Sequence, residues 1–262
     1  MPSENVATSE STDRRARKRE ARRDHLLDLA LNLVDEHGVD GLTMAALADA
    51  GDYATASLYT YFSSRSALLA ALQERALVVL GQVAEAGSAA WDAAIAEAGP
   101  PDGVAALARL CGFSDLFLAA PEQHRREFRL QQQLLVTPGA EDAADAGNVV
   151  PVALHVLGVP QRLLAEAVMV GALRGAPPVV DPLGGAIDAS FARTLAWVVA
   201  LNGALLTDGL VTGLPTTGTV LGTQLTDALL VGWGADPALL ADARTLSAPW
   251  APISRSSERT SS

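Results

Sequence analysis

The chain has 262 residues, 49% of them hydrophobic and only 5% aromatic, and carries a formal net charge of −11. That apolar share supports a sizeable core, split over a small and a larger domain or gathered in one large helical domain. A single cysteine, Cys111, excludes an intramolecular disulfide, and the acidic average excludes a surface coated uniformly in positive charge for nucleic acid.

Alanine and leucine dominate the apolar residues, and stretches of two-residue alternation rich in β-branched and aromatic side chains are scarce, so the fold class expected is all-α. Residues 1–19 are rich in Ser, Glu and Arg and are expected to be a disordered basic arm. From Ser11 to His25 seven basic residues (Arg14, Arg15, Arg17, Lys18, Arg19, Arg22, Arg23) face three acids (Asp13, Glu20, Asp24). Such a run is either a solvated tail or an arm that touches a nucleic-acid backbone.

Residues 20–81 read as a compact domain of short helices. "RRDHLLDLALNLVDEHG" sets Leu26, Ala30, Leu33 and Val34 on one stripe, and Gly38 stops that helix. Thr43 is an N-cap for "MAALADA", and "GDYA" is a tight turn in which Gly51 can take positive φ. "TASLYTYF" follows as a short helix. The serine pair 63–64 caps a fourth helix with an inward stripe of Leu68, Leu69, Leu72, Ala76, Val79, Leu80 and Val83. A short helix, a tight turn and a second short helix are the layout of a helix-turn-helix. On its second helix Leu58 and Phe62 fall on the core side. Thr55, Ala56, Tyr59 and Thr60 fall on the opposite side, slim and hydroxylic enough to approach bases and phosphates. Arg65, in the first turn of the next helix, can pair a second phosphate.

Residues 82–250 read as a larger domain of longer apolar helices with loops marked by Pro and Gly, and 251–262 as a disordered tail. No stretch approaches ~20 uninterrupted apolar residues, and the N-terminus has no signal-peptide core, so a cytoplasmic protein without a membrane partner is expected. The four histidines are scattered, and neither a glycine-rich phosphate loop ending in Lys, a G-x-S-x-G elbow nor a dinucleotide fingerprint occurs. No enzyme, metal or cofactor is expected.

From Leu26 to Leu72 the chain reads "LLDLALNLVDEHGVDGLTMAALADAGDYATASLYTYFSSRSALLAAL". Its "EHGVDGLT" approach, its "LYTYF" core and the serine and basic residue after them resemble the DNA-binding domain of the tetracycline-repressor (TetR/AcrR) family of bacterial regulators. The resemblance implies an N-terminal helix-turn-helix domain followed by a larger domain that binds an effector and dimerises. It implies a homodimeric repressor that binds a palindromic operator in double-stranded DNA and is released by a small molecule. It implies DNA contacts by Thr43, Met44, Ala45, Thr55, Ala56, Ser57, Tyr59, Thr60, Tyr61 and Arg65. Tyr61 is left between the groove wall and packing. Asp52 stands where the family often has its turn glycine, Ala54 where it has a capping serine, and Arg65 where it has lysine.

In that frame, "AIDASFARTLAWVVALNGALLTDGLV" and "TVLGTQLTDALLVGW" correspond to the two dimer helices. Leu195, Trp197, Val198, Leu201, Asn202 and Leu205 on the first, with Leu221, Leu225 and Leu229 on the second, are interface candidates, or else ordinary core. Effector candidates are Trp91, Leu110, Cys111, Phe113, Phe117, Phe128, Gln132, His155, Met169 and Arg174. A pocket of such apolar residues suits a lipophilic ligand. Arg125, Arg126 and Arg129 form either a solvated helix face or an anion clamp. The rival reading is a helical small-molecule-binding protein that has lost DNA binding. It draws on Asp52 and on the balance of 12 acids to 9 bases between Met1 and Arg75.

Overall fold

The computed structural model describes residues 4–136, 143–176, 189–210 and 216–251, and the expected tail lies outside them beyond Ala251. Among the described residues the chain is all-α: α1 Glu4–Gly41, α2 Met44–Gly51, α3 Thr55–Leu58, α4 Arg65–Ala98, α5 Asp102–Gln123, α6 Arg125–Val136, α7 Ala143–Met169, α8 Ala189–Leu210, α9 Gly218–Gly232 and α10 Pro237–Ser247, closed by a 3₁₀ turn Ala248–Trp250. The chain divides into two compact units, one of residues 1–77 with 129–152 and one of 78–128 with 153–262.

The first unit is built on α1, whose Leu26, Leu27, Ala30, Leu31 and Val34 are buried. These join Leu47 and Ala48 of α2, Leu58 and Phe62, and Leu68, Leu69 and Leu72 of α4 in one core. Gly38 takes φ 74°, ψ 176° and breaks α1 there, as its place at the end of the apolar stripe requires. Of the expected arm 1–19, residues 4–19 are described, as part of α1. From Glu4 onward the backbone continues into α1 as helix, a short chain segment for which an existing helix removes the cost of nucleation. The C-terminal half of α6 also belongs to this unit. Leu130 is fully buried in its core, and the Gln133 side-chain oxygen accepts from the Val39 amide at 3.2 Å. Of the basic run on α6, Arg129 pairs with Asp35 at 3.1 Å.

The second unit packs α10 and α9 against α5, and α8 against α9. α5 lies at its centre, with Val104 to Ala108 and Leu110 to Ser114 buried. Three rings form a chain through this core, Trp197 to Phe113 at 5.2 Å and Phe113 to Phe117 at 6.3 Å between centroids, and Phe128 adds an edge-on contact to Phe117 at 5.5 Å. The polar groups around Trp197 are paired, whereas the buried Ser88 hydroxyl has no partner among the described residues. The Trp197 indole N–H donates to Thr226 Oγ1 at 3.0 Å, and Thr226 shares a 2.9 Å bond with Ser114 Oγ. Arg244 of α10 reaches Asp227 of α9 at 2.7 Å and Asp115 of α5 at 3.1 Å, tying three helices together. Burial pushes the Asp115 carboxyl up from its ordinary range more than the guanidinium of Arg244 pulls it down.

α4 is longer than the sequence suggests. Gly81 and Gly87 do not end it, and it runs for 34 residues as one helix. Four described helices (α4, α5, α7 from Gly147 and α8 to Thr207) are long and apolar enough to cross a membrane by length and composition. In α5, 67% of that apolar window is buried inside the protein, which accounts for its hydropathy as core.

Candidate nucleic-acid interface

The helix-turn-helix is held by three local devices. Thr43, extended at φ −121°, caps α2 by accepting the Ala46 amide on its hydroxyl at 3.0 Å. The turn after α2 takes its positive φ at Asp52 (φ 55°, ψ 45°), not at Gly51 as the sequence suggests. Asp52 and Tyr53 amides return to Asp49 and Ala48 carbonyls, at 3.4 and 2.9 Å, which is how a left-handed residue closes a helix end. Gly51 serves differently: a Cβ there would come within 2.6 Å of the Tyr53 ring, so its lack of a side chain lets that ring fold back against α1 and α2. Ser64 then caps α4, accepting the Ala67 amide at 3.0 Å.

α3 is shorter than "TASLYTYF". Regular helix spans Thr55–Leu58, and the chain continues through tighter turns, with the Thr60 amide bonded to the Ser57 carbonyl and the Tyr61 amide to that of Leu58. Ala54 lacks a side chain to cap this helix, and the tightened end follows from so short an element. The division of faces holds. Leu58 is fully buried and Phe62 nearly so, while Thr55, Ala56, Ser57, Tyr59 and Thr60 are exposed. Thr60 turns its hydroxyl to the Ser57 carbonyl at 2.7 Å. Thr43 and Ala45 are exposed at the start of α2.

Three of the expected contact residues are turned partly or wholly inward in the free chain. Met44 is buried in the core, because the N-terminal turn of α2 lies against α1. Tyr61 is half-buried and packs on the same core. Arg65 donates from Nε to the Leu42 carbonyl and from Nη2 to the Val39 carbonyl, both at 2.6 Å, so its guanidinium fastens the α1–α2 connection to the start of α4 and does not hang free for a phosphate.

Sequence reasoning missed a charge asymmetry inside the domain. Residues 24–64 carry seven acids (Asp24, Asp28, Asp35, Glu36, Asp40, Asp49, Asp52) and no Lys or Arg. Arg75 on α4 is occupied with Asp28 at 2.6 Å and the Asp24 carbonyl at 3.3 Å.

The effector candidates scatter. Trp91, Leu110, Cys111, Phe113 and Phe128 are buried and Phe117 partly so, all in the core of the second unit. Burial pushes the Cys111 thiol up to about 12. Gln132 lies in the first unit, while His155, Met169 and Arg174 are exposed. Two open cavities lie in the second unit. One of about 310 Å³ is bounded by Ile95, Pro100, Ala106, Arg109, Glu166 and Met169. Another, of about 440 Å³, is bounded by Arg174, Ala189, Arg193 and Trp233. The interface candidates divide as well. Trp197, Leu201 and Leu205 are buried in their own chain, whereas Leu195, Val198, Asn202, Leu221, Leu225 and Leu229 are half-buried. Among the described residues, the large aliphatic side chains exposed on these helices are Val199 and Leu206 of α8 and Val220 and Val231 of α9.

The described residues thus combine an N-terminal helix-turn-helix with a larger helical unit. Residues 26–72 match the model of the bacterial regulatory proteins of the tetR family. Solved structures share the fold. RolR, in complex with resorcinol, is 21% identical with a TM-score of 0.55, the match covering 91% of this chain and 99% of that one. SmeT, the repressor of the Stenotrophomonas maltophilia multidrug efflux pump SmeDEF, is 18% identical with a TM-score of 0.56, over 83% and 92%. A protein of unknown function from Rhodococcus sp. RHA1 is 25% identical with a TM-score of 0.53, over 80% and 94%. No curated protein matches the sequence.

Proposed function

We propose that this protein is a homodimeric, cytoplasmic transcriptional repressor that binds a palindromic operator and is released by a small lipophilic effector. The observation that carries the reading is the face of α3. Thr55, Ala56 and Ser57 of α3, with Tyr59 and Thr60 of the turns that follow it, are exposed together, while Leu58 and Phe62 are anchored in the core. A slim, hydroxylic, rigidly seated helix is what a major groove admits. One such helix reads few base pairs, so two related by a two-fold axis are required for affinity and selectivity. The half-buried and exposed aliphatic side chains of α8 and α9 supply the surface for a second copy.

The effector's site is proposed among Phe113, Phe117 and Phe128. Their rings pack on one another and must part to admit a ligand, which acts only through unequal affinity for the two arrangements. RolR, solved with resorcinol, and SmeT, a repressor, supply precedents for such roles on this fold.

The test is enrichment of DNA duplexes from a randomised pool by the full chain. The expected product is a palindrome with half-sites about one helical turn apart, bound by a dimer. Enrichment of nothing, or of a site without two-fold symmetry, overturns the reading. The rival, a small-molecule-binding protein without DNA binding, is favoured by the seven acids and absent cations of residues 24–64. It requires that no duplex be retained even at low salt.

A further inference from the structure

An operator-binding domain needs cations for phosphates, and this one has almost none in its expected place. Residues 24–64 contain no Lys or Arg, and Arg65 and Arg75 are committed to Leu42, Val39, Asp24 and Asp28. Seven of the nine basic residues up to Arg75 lie between Arg14 and Arg23, ahead of the segment that matches the family. The helix there sorts them. Arg14, Lys18 and Arg22 repeat every four residues and Arg15 lies beside them, on a stripe roughly 100° wide at 3.6 residues per turn. All four are exposed, and none has an acidic partner among the residues from 13 onward whose side chains are described. The acids Asp13, Glu20 and Asp24 gather with Arg17 on the other side, where Arg17 pairs with Asp13 at 3.0 Å. Between the two sides, Arg19 and Arg23 are turned toward the reading turn. Arg19 donates to the Thr60 carbonyl at 3.1 Å, and Arg23 lies over the Phe62 ring, 5.7 Å from its centroid.

We propose that the N-terminal extension of α1 is a second DNA-binding element. Arg14, Arg15, Lys18 and Arg22 grip the phosphate backbone flanking each half-site, and Arg19 and Arg23 hold the extension in register with α3. It rests on the operator-binding reading above and gives that reading its missing electrostatic component. Each phosphate neutralised releases condensed counterions, so the extension governs affinity and salt dependence while α3 governs sequence choice.

The experiment measures binding of the full chain to a mixed-sequence DNA duplex, and to whatever palindrome the pool yields, across a salt series. R14Q/R15Q/K18Q/R22Q is expected to lower the log–log salt slope by roughly 3 to 4 per protomer. R14K/R15K/R22K, which keeps the charge, is expected to keep the slope, and hydroxyl-radical protection flanking the palindrome is expected to vanish only in the glutamine variant. Far-UV circular dichroism and the thermal midpoint confirm that both variants fold, and R14Q/K18Q, with half the expected drop, gives the same readout with fewer changes. A glutamine variant that keeps the wild-type slope and footprint overturns the proposal and leaves the operator reading standing. A wild-type chain that binds no duplex overturns both.

Discussion

Arg65 reaches back across the helix-turn-helix to the carbonyls of Val39 and Leu42, each at 2.6 Å. Those carbonyls lie just past the break at Gly38; that of Val39 also accepts the Leu42 amide at 3.2 Å, and Arg65 caps both with a planar fork. Lysine has the charge but not the fork, so R65K is expected to destabilise the chain by about 1–2 kcal/mol, read as a lower urea midpoint at unchanged m-value. Its DNA salt slope is expected to stay at the wild-type value. R65Q, which removes the charge, is the test of the other role: a slope lower by about one in that variant restores Arg65 as a phosphate contact.

The left-handed conformation of Asp52 makes a separate prediction. Glycine adopts φ 55° without the Cβ penalty that an aspartate carries there. D52G is therefore expected to gain about 0.5 kcal/mol, the strain relieved exceeding the entropy glycine adds to the unfolded chain. D52N keeps a side chain that tolerates the conformation and removes only the charge. If Asp52 opposes DNA, D52N tightens binding at low salt while the urea midpoint stays put.

Tyr59 and Leu58 are neighbours with opposite tasks. Tyr59 is 52% exposed and Leu58 is fully buried. Y59F removes one hydroxyl from the surface and is expected to leave the thermal midpoint unchanged while weakening operator binding about tenfold, the value of a hydrogen bond to a charged oxygen. L58A is expected to cost 2–5 kcal/mol of stability. Equal operator affinity for Y59F and wild type removes Tyr59 from the interface.

How much of this was legible in the sequence follows the range of the interactions. The Thr43 cap, the stop at Gly38 and the inward Leu58 and Phe62 are local, set by spacing within one or two turns, and they were readable. The target of Arg65 was not, because its acceptors lie 23 and 26 residues earlier and are backbone atoms without a sequence signature. Likewise periodicity placed Trp197 and Leu201 on apolar stripes of α8 without saying which stripe meets α9 and which stays outside. For the arm, composition reports charge and carries no helix signal, and its backbone runs into a helix that is packed only from Leu26 onward.

Cys111 is a test of core integrity. It is fully buried on α5, and its thiol is pushed up to about 12 by burial, with Arg244 pulling it down and Asp227 and Asp115 pushing it up. Alkylation by iodoacetamide at pH 8 is expected only through opening of the second unit, at a rate that rises steeply with urea. A raised folded value means that the neutral thiol is favoured by folding. This contribution is fully present below the ordinary value of 9.0 and is lost as pH rises from there toward about 12. C111S is expected to flatten the fall of stability over that window.

The last prediction separates the surface of α8 from its core. Val199 is 64% exposed, and Leu206, two turns on, lies on the same stripe, whereas Trp197 is fully buried and bonded to Thr226. If a second copy covers this face, a charge at Val199 enters the interface and finds no partner. V199E is then expected to shift the chain from dimer to monomer in analytical ultracentrifugation while its circular dichroism stays native. T226V acts oppositely: it strands the Trp197 N–H and the Ser114 hydroxyl in a closed core. It is expected to cost about 1–3 kcal/mol and leave the sedimentation of the folded fraction unaltered. A dimer that survives V199E paired with L206E places the contact between copies on another face.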